Sequence, residues 1–234
     1  MSYSVAIFGA SGAIGQSLCH WHLEKGNFVF GIARHPNIDS DPRINWVTWD
    51  PCQSQNPPAS LLVKPIDAVI WAQGMNINDN ARSFNAQMHR RVYDANVVYI
   101  LESLKVLLDE NLLSAHARLL VISSVWQNIA RSNKLSYGVT KSALLGLVQS
   151  TSLDLGAEGK LINAVLPGAL DTPMTRANLS SDQIGRLEAM TPLGTLPAMS
   201  DVCNLAGFLC SPENTGITGQ FIAADRGFSN AKIV

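Results

Sequence analysis

Tyr137 and Lys141, in the stretch "SYGVTKSA", are four residues apart. On a helix that spacing puts both side chains on one face. A phenol titrates near ~10, too high for efficient proton transfer at neutral pH, and a neighbouring ammonium favours the phenolate and lowers that value. Such pairs also occur on helices that do no chemistry, so this one draws its meaning from its neighbours. Thirteen residues earlier the apolar run "LLVISSVW" ends in two serines. At the end of a strand the Ser124 hydroxyl is placed to hold a carbonyl oxygen beside the tyrosine. Ser123 is a near-equivalent competitor, and both serines could simply satisfy local backbone groups.

A second chemical feature lies near the N-terminus, where "FGASGAIGQ" follows the apolar run "YSVAI". Gly9, Gly12 and Gly15 are three apart, which departs from the general dinucleotide fingerprint G-x-G-x-x-G. The turn nevertheless leads into a helix whose first amides attract phosphate. Gly9 would allow the tight turn. The small Ser11, Gly12 and Ala13 would let a pyrophosphate approach, and Gly15, after Ile14, would permit close packing. The second strand ends "GIARHP", with Ala33 where an acid would bind the 2′-hydroxyl of NAD and Arg34 next to it. A guanidinium grips a phosphate bidentately, so NADP(H) is expected over NAD(H). The lysine and a cationic nicotinamide together would supply the roughly 3–4 kcal/mol that a downward tyrosine shift of ~2–3 units requires.

These groups must be held by a scaffold, and the periodicity describes one. Unalternating apolar runs, "SVAIFG", "FVFGIA", "INWVTW", "DAVIWA", "ARLLVIS", "LINAVLP" and "GQFIAA", read as strands buried on both faces. Helical patterns fill about 13–25, 80–110, 135–157 and 199–210 between them. The predicted fold class is α/β: a single-domain, Rossmann-type, doubly wound parallel β-sheet with helices on both faces, spanning 1–234. The proline-rich stretch 171–198 reads as a substrate lid around a short helix, "SSDQIGRLEAM", capped by Ser180 or Ser181.

Composition narrows the function classes. A net charge of −1 gives no electrostatic case for nucleic acid, and no apolar run approaches the ~20 residues of a membrane span. The N-terminus reads as a strand, without a basic leader. Four scattered cysteines, Cys19, Cys52, Cys203 and Cys210, suggest reduced thiols in a cytoplasmic protein. His20 and His22, two apart, would point to different sides of a helix and suggest no metal site.

Taken in order along the chain, these motifs resemble the short-chain dehydrogenase/reductase family over almost the whole length. Its shorter members, such as 3-oxoacyl-carrier-protein reductases, are similar in size and in the closing region "TPLGTLPAMSDVCNLAGFLCSPENTGITG". The resemblance implies a carbonyl/alcohol oxidoreductase in which Tyr137 is the acid/base and Ser124 orients the carbonyl. Lys141 would lower the tyrosine's pKa and bind the nicotinamide ribose, and Asn96 would support a proton relay. It further implies cofactor contacts by Asp50, Gly74, Leu170 and Thr172, and a homodimer or homotetramer built on the two long helices. Several positions depart from the family pattern. Phe8 and Ala13 alter the glycine turn, "WAQG" stands for "NNAG", and "DRG" stands for "DGG". Pro51 lacks the amide hydrogen that commonly meets adenine. A non-catalytic NADP-binding sensor of the same fold is the alternative reading, although such a protein would need the lysine but not the serine–tyrosine pair. Trp126, Met174, Leu187, Met190 and Leu193 would either surround an apolar or aromatic substrate or simply pack the lid.

Overall fold

A computed structural model describes residues 3–36, 41–172, 175–176 and 179–230. Its strands are β1 (Ser4–Phe8), β2 (Phe28–Ala33), β3 (Asn45–Thr48), β4 (Ile66–Trp71), β5 (Leu113–Ile122), β6 (Leu161–Pro167) and β7 (Phe221–Ala224). They form one sheet in the order β3-β2-β1-β4-β5-β6-β7, and every adjacent pair is parallel. The order reverses between β1 and β4, so the crevice of this doubly wound sheet opens beyond the C-terminal end of β1.

Side-chain alternation in β1 shows why the strand runs are apolar throughout. Val5 and Ile7 enter one core with Leu18, Cys19, Val202 and Ala206 of helices α1 (Ala13–Glu24) and α6 (Met199–Leu209). Ala6 and Phe8 enter the opposite core with Ile100, Leu104, Leu144 and Val148 of α3 (Tyr99–Asp109) and α4 (Leu135–Gly156). Removing both faces of the sheet from water is the main driving force for this arrangement.

The long helical pattern at 80–110 resolves into three pieces. It starts later than the periodicity predicts, because Asn85 caps α2 (Ala86–Tyr93) by accepting from Met88 N at 3.0 Å. A π-helical turn, Asp94–Val98, then joins α2 to α3. Within 171–198, α5 (Ser181–Ala189) is closed by a capping box in which Ser180 and Gln183 reciprocate, which settles the cap on Ser180. Pro173 and Met174 of that stretch lie outside the described residues.

Candidate active site

The first strand–helix turn is shaped by two close approaches. Gly9 has φ +75°, and a Cβ there would lie 2.5 Å from Gln73 N, at the end of β4. A Cβ on Gly15 would lie 2.2 Å from the Gly9 carbonyl oxygen, so its packing is against the turn itself. Gly12 has ordinary room for a side chain and serves as the N-cap, with extended backbone and no side-chain cap. No acidic residue occupies the first turn of α1, and Ser11, Gly12 and Ala13 are exposed while Ile14 is half-buried. The amides of Gly9, Ala10 and Gly12 are taken by Ile32 O and Gly9 O, so a pyrophosphate would be met by the first amides of α1, at the positive end of the helix. Arg34 is exposed just past β2, and its charge reaches the thiol of Cys52 and the hydroxyl of Tyr99. Asp50, beyond β3, accepts from the Cys52 amide at 3.1 Å. Pro51 is buried between the two.

On the other side of the crevice, α4 carries Tyr137 and Lys141 as the spacing predicts. The Lys141 ammonium lies 5.7 Å from the Tyr137 ring centre and donates to the Ile122 carbonyl at 3.0 Å. Burial pushes Lys141 down to about 8, because the charged form has left water. The tyrosine departs from expectation. Burial raises its pKa, while a hydrogen bond with Ser124 and the Arg131 guanidinium act in the opposite direction. Lys141, facing Ile122, does not supply the expected lowering in the chain by itself.

The two serines separate cleanly. Ser123 donates to Gln127 Oε1 at 2.8 Å, and its amide meets the Val165 carbonyl. Ser124 is the one coupled to Tyr137, with its hydroxyl also accepting from Trp126 N at 3.3 Å. Asn96 lies in the π-helical turn. Its Nδ2 donates to Met75 O at 3.0 Å and Thr140 Oγ1 at 2.9 Å, while Oδ1 accepts from Met75 N at 2.7 Å. Gly74 completes this corner: a Cβ there would sit 3.2 Å from Asn96 Oδ1 and 4.0 Å from Lys141 Nζ.

Leu170 packs against the α1/α6 core, and the Thr172 hydroxyl accepts from Thr175 N at 3.1 Å. The apolar residues proposed around a substrate divide. Trp126 lines a cavity of about 380 Å³ and stacks edge-on against Phe228 at 5.8 Å, with Arg131 over its ring at 5.3 Å. Leu187 borders a separate small cavity with Thr191, Leu196 and Phe228. Met190 and Leu193 are exposed. Met174 lies outside the described residues.

Three contributors were not legible as site residues. Thr140, adjacent to Lys141, braces Asn96. Asp79 holds the start of α4 by accepting from Ser136 N at 3.0 Å and from the Ser136 hydroxyl at 2.5 Å. Gln73 presents a buried carboxamide with neither end hydrogen-bonded. The unusual "WAQG" was its only sequence signal. Among the described residues there is no cluster that could hold a metal ion, and no helix is long and apolar enough to cross a membrane.

Residues 60–229 match a family profile described as enoyl-(acyl carrier protein) reductase. That match covers most of the chain. The chain belongs to the short-chain dehydrogenase/reductase family. This is a family of oxidoreductases acting on CH–OH and C=O groups. One relative in the family, 3-oxoacyl-[acyl-carrier-protein] reductase of Escherichia coli, is 29% identical over 233 residues, covering 94% of this chain and 95% of the relative. The L-rhamnose 1-dehydrogenase (NADP(+)) of Thermoplasma acidophilum is 34% identical over 113 residues, covering 48% and 44%. A gluconate 5-dehydrogenase structure from Burkholderia cenocepacia, in complex with NADP and tartrate, shares the family fold. It superposes with a TM-score of 0.88 at 20% identity and covers 99% of this chain and 97% of its own.

Proposed function

We propose that this chain is an NADPH-dependent carbonyl reductase/alcohol dehydrogenase acting on a small, apolar carbonyl or hydroxyl compound. The observation that carries the reading is the corner at which Ser124, Tyr137, Lys141 and the braced Asn96 come together beside the glycine turn. The close approaches at Gly9 and Gly15, with uncapped amides beyond them, fit a dinucleotide pyrophosphate. Exposed Arg34 fits the 2′-phosphate of NADP.

When bound, the nicotinamide supplies the hydride. Tyr137 delivers its hydroxyl proton to the substrate oxygen, and Ser124 orients that oxygen by hydrogen bonding. In the reverse direction the phenolate receives the alcohol proton. Lys141 at about 8 is poised between its charged and neutral forms near neutral pH, so it can return a proton to the tyrosine. With its side-chain amide committed to Met75 and Thr140, Asn96 braces this corner, and its part in a proton relay falls to its main chain and position beside Lys141. Trp126 and Phe228 form an aromatic wall suited to an apolar substrate. Exposed Leu101, Leu145 and Leu153 on α3 and α4 support a homodimer or homotetramer built on those helices.

Monitoring NADPH oxidation with ketones, quinones and acyl thioesters tests the reading. Turnover that falls 10²–10⁴-fold in Tyr137→Phe, with NADPH binding retained, is the expected result. Binding without turnover of any compound, or a mutant that matches wild type, would refute it. Titration with NADP against NAD tests Arg34 separately, because equal affinity removes its assignment.

A further inference from the structure

Among the described residues, Gln73 alone has both polar atoms of a side chain shielded from solvent and unpaired. Other buried polar side chains show what a matched group looks like here. The Asn96 amide has a partner for its oxygen and two for its nitrogen. Buried amides left without partners are costly, and native folds keep few of them.

Its position suggests why this one persists. The preceding residue, Ala72, donates its amide to Phe8 O at 2.9 Å, which ties the end of β4 to the end of β1. The Gln73 backbone lies against Gly9, and Gly74 lies beside Asn96 and Lys141. Gln73 thus stands between the two places at which a dinucleotide would be gripped, its pyrophosphate at the turn and its ribose at Lys141. Chemistry narrows the match further. A phosphate offers only acceptors and would leave Oε1 without a donor. An adenine edge would satisfy both ends, but the adenine side of the crevice lies toward Asp50 and Pro51. A ribose hydroxyl both donates and accepts, and the riboses flank the pyrophosphate.

We propose that Gln73 is a cofactor-recognition residue whose carboxamide rotates to meet a ribose hydroxyl of NADP, with Oε1 accepting and Nε2 donating. This rests on the reading of the chain as an NADP-binding reductase. It gives the crevice a polar contact at a ribose, separate from the adenine contact that Pro51, lacking an amide hydrogen, cannot provide. It also predicts that the same amide weakens the fold without cofactor and strengthens it with cofactor.

Gln73→Met separates these effects, since it keeps the side chain's length and removes both polar ends. By titration calorimetry NADP affinity should fall about five- to tenfold, the loss of one hydrogen-bonded group. The melting temperature of the cofactor-free chain should rise in the same variant. Gln73→Ala, which also removes the amide, should show the same loss of affinity if Gln73→Met folds poorly. Adenosine 2′,5′-bisphosphate locates the hydroxyl. An equal loss for that fragment assigns the adenosine ribose, and a loss confined to the whole dinucleotide assigns the nicotinamide ribose. If both variants bind NADP as tightly as wild type, the proposal is overturned while the reductase reading stands. A wild-type chain that binds no dinucleotide overturns both.

Discussion

The two ends of the sheet treat buried polar groups differently. At the N-terminal ends of the strands three of them, Asn214, Asn163 and Ser4, are matched, although Trp46 Nε1 in β3 is buried without a partner. Asn214 donates through Nδ2 to Leu209 O and Ile217 O, both at 3.1 Å, and accepts at Oδ1 from Ile217 N at 2.9 Å. Asn163 likewise donates to Ile217 O at 2.7 Å and accepts from Gln220 N at 3.0 Å. Ser4, at the start of β1, meets Pro65 O and Asp67. At the C-terminal ends, the buried ammonium of Lys141 reaches one carbonyl, the tyrosine is raised by burial and Gln73 reaches nothing. One end holds the loops in place, and the other leaves polar groups underused at the expense of stability, as the proposed cofactor site would require.

The largest expected break in that contrast is Tyr137→Phe, which should abolish nearly all turnover while leaving the denaturation midpoint close to wild type. At the matched end, Asn214→Ala should do the reverse. It removes the partner of the Leu209 carbonyl and of the Ile217 amide, while Ile217 O keeps its bond from Asn163, and should lower stability by about 2 kcal/mol in urea unfolding. Activity per folded molecule should be retained, and a selective loss of activity would show that the two ends are not separable.

Lys141→Met should stabilise the cofactor-free chain at neutral pH by about 2 kcal/mol, less than the full cost of burial because the bond to Ile122 is lost. The sign follows from the direction of the shift. A lysine lowered from 10.5 to about 8 on folding costs stability below pH 8, and that cost fades as pH rises toward 10.5. The advantage of the variant should therefore shrink at high pH. A variant less stable than wild type at pH 7 would mean that the ammonium is better paired than the geometry shows.

His22 sharpens the comparison, because it is a partial exception outside the crevice. Its Nδ1 accepts from Asn27 at 2.9 Å, but Nε2 is buried without a partner, and burial lowers its pKa from 6.5 to about 4. Neutral in the fold and protonated in the unfolded chain, it contributes stability that is full above pH 6.5 and is lost as pH falls toward 4. The loss should reach about 1.5 kcal/mol at pH 5.5. His22→Gln should flatten the fall in urea midpoint between pH 7.5 and 5.5, and an unchanged slope would assign it to other groups.

Much of the scaffold was legible because strands buried on both faces must be apolar throughout. The "LINAVLP" run corresponds residue for residue to β6 (Leu161–Pro167). The late start of α2 was harder to read. The predicted helix runs through 80–85, but Asn80, Ser83 and Asn85 there favour turns and caps, and Asn80 accepts from Arg82 N and Ser83 N in a turn. Tyr137, Lys141 and the glycine turn carried local spacing signals. Asp79 and Gln73 did not, because their importance depends on partners distant in sequence or on having none.

The sequence by itself determined the order of the elements, the two-faced sheet and the spacing that puts Tyr137 and Lys141 on one helical face. These follow from periodicity along a local stretch of chain. Tertiary structure decided which serine faces the tyrosine, where the Asn96 amide is spent, that burial raises Tyr137 and that Gln73 is left unmatched. Each of those depends on solvent exclusion and on groups brought together from separate strands and helices, and neither is encoded in residue spacing.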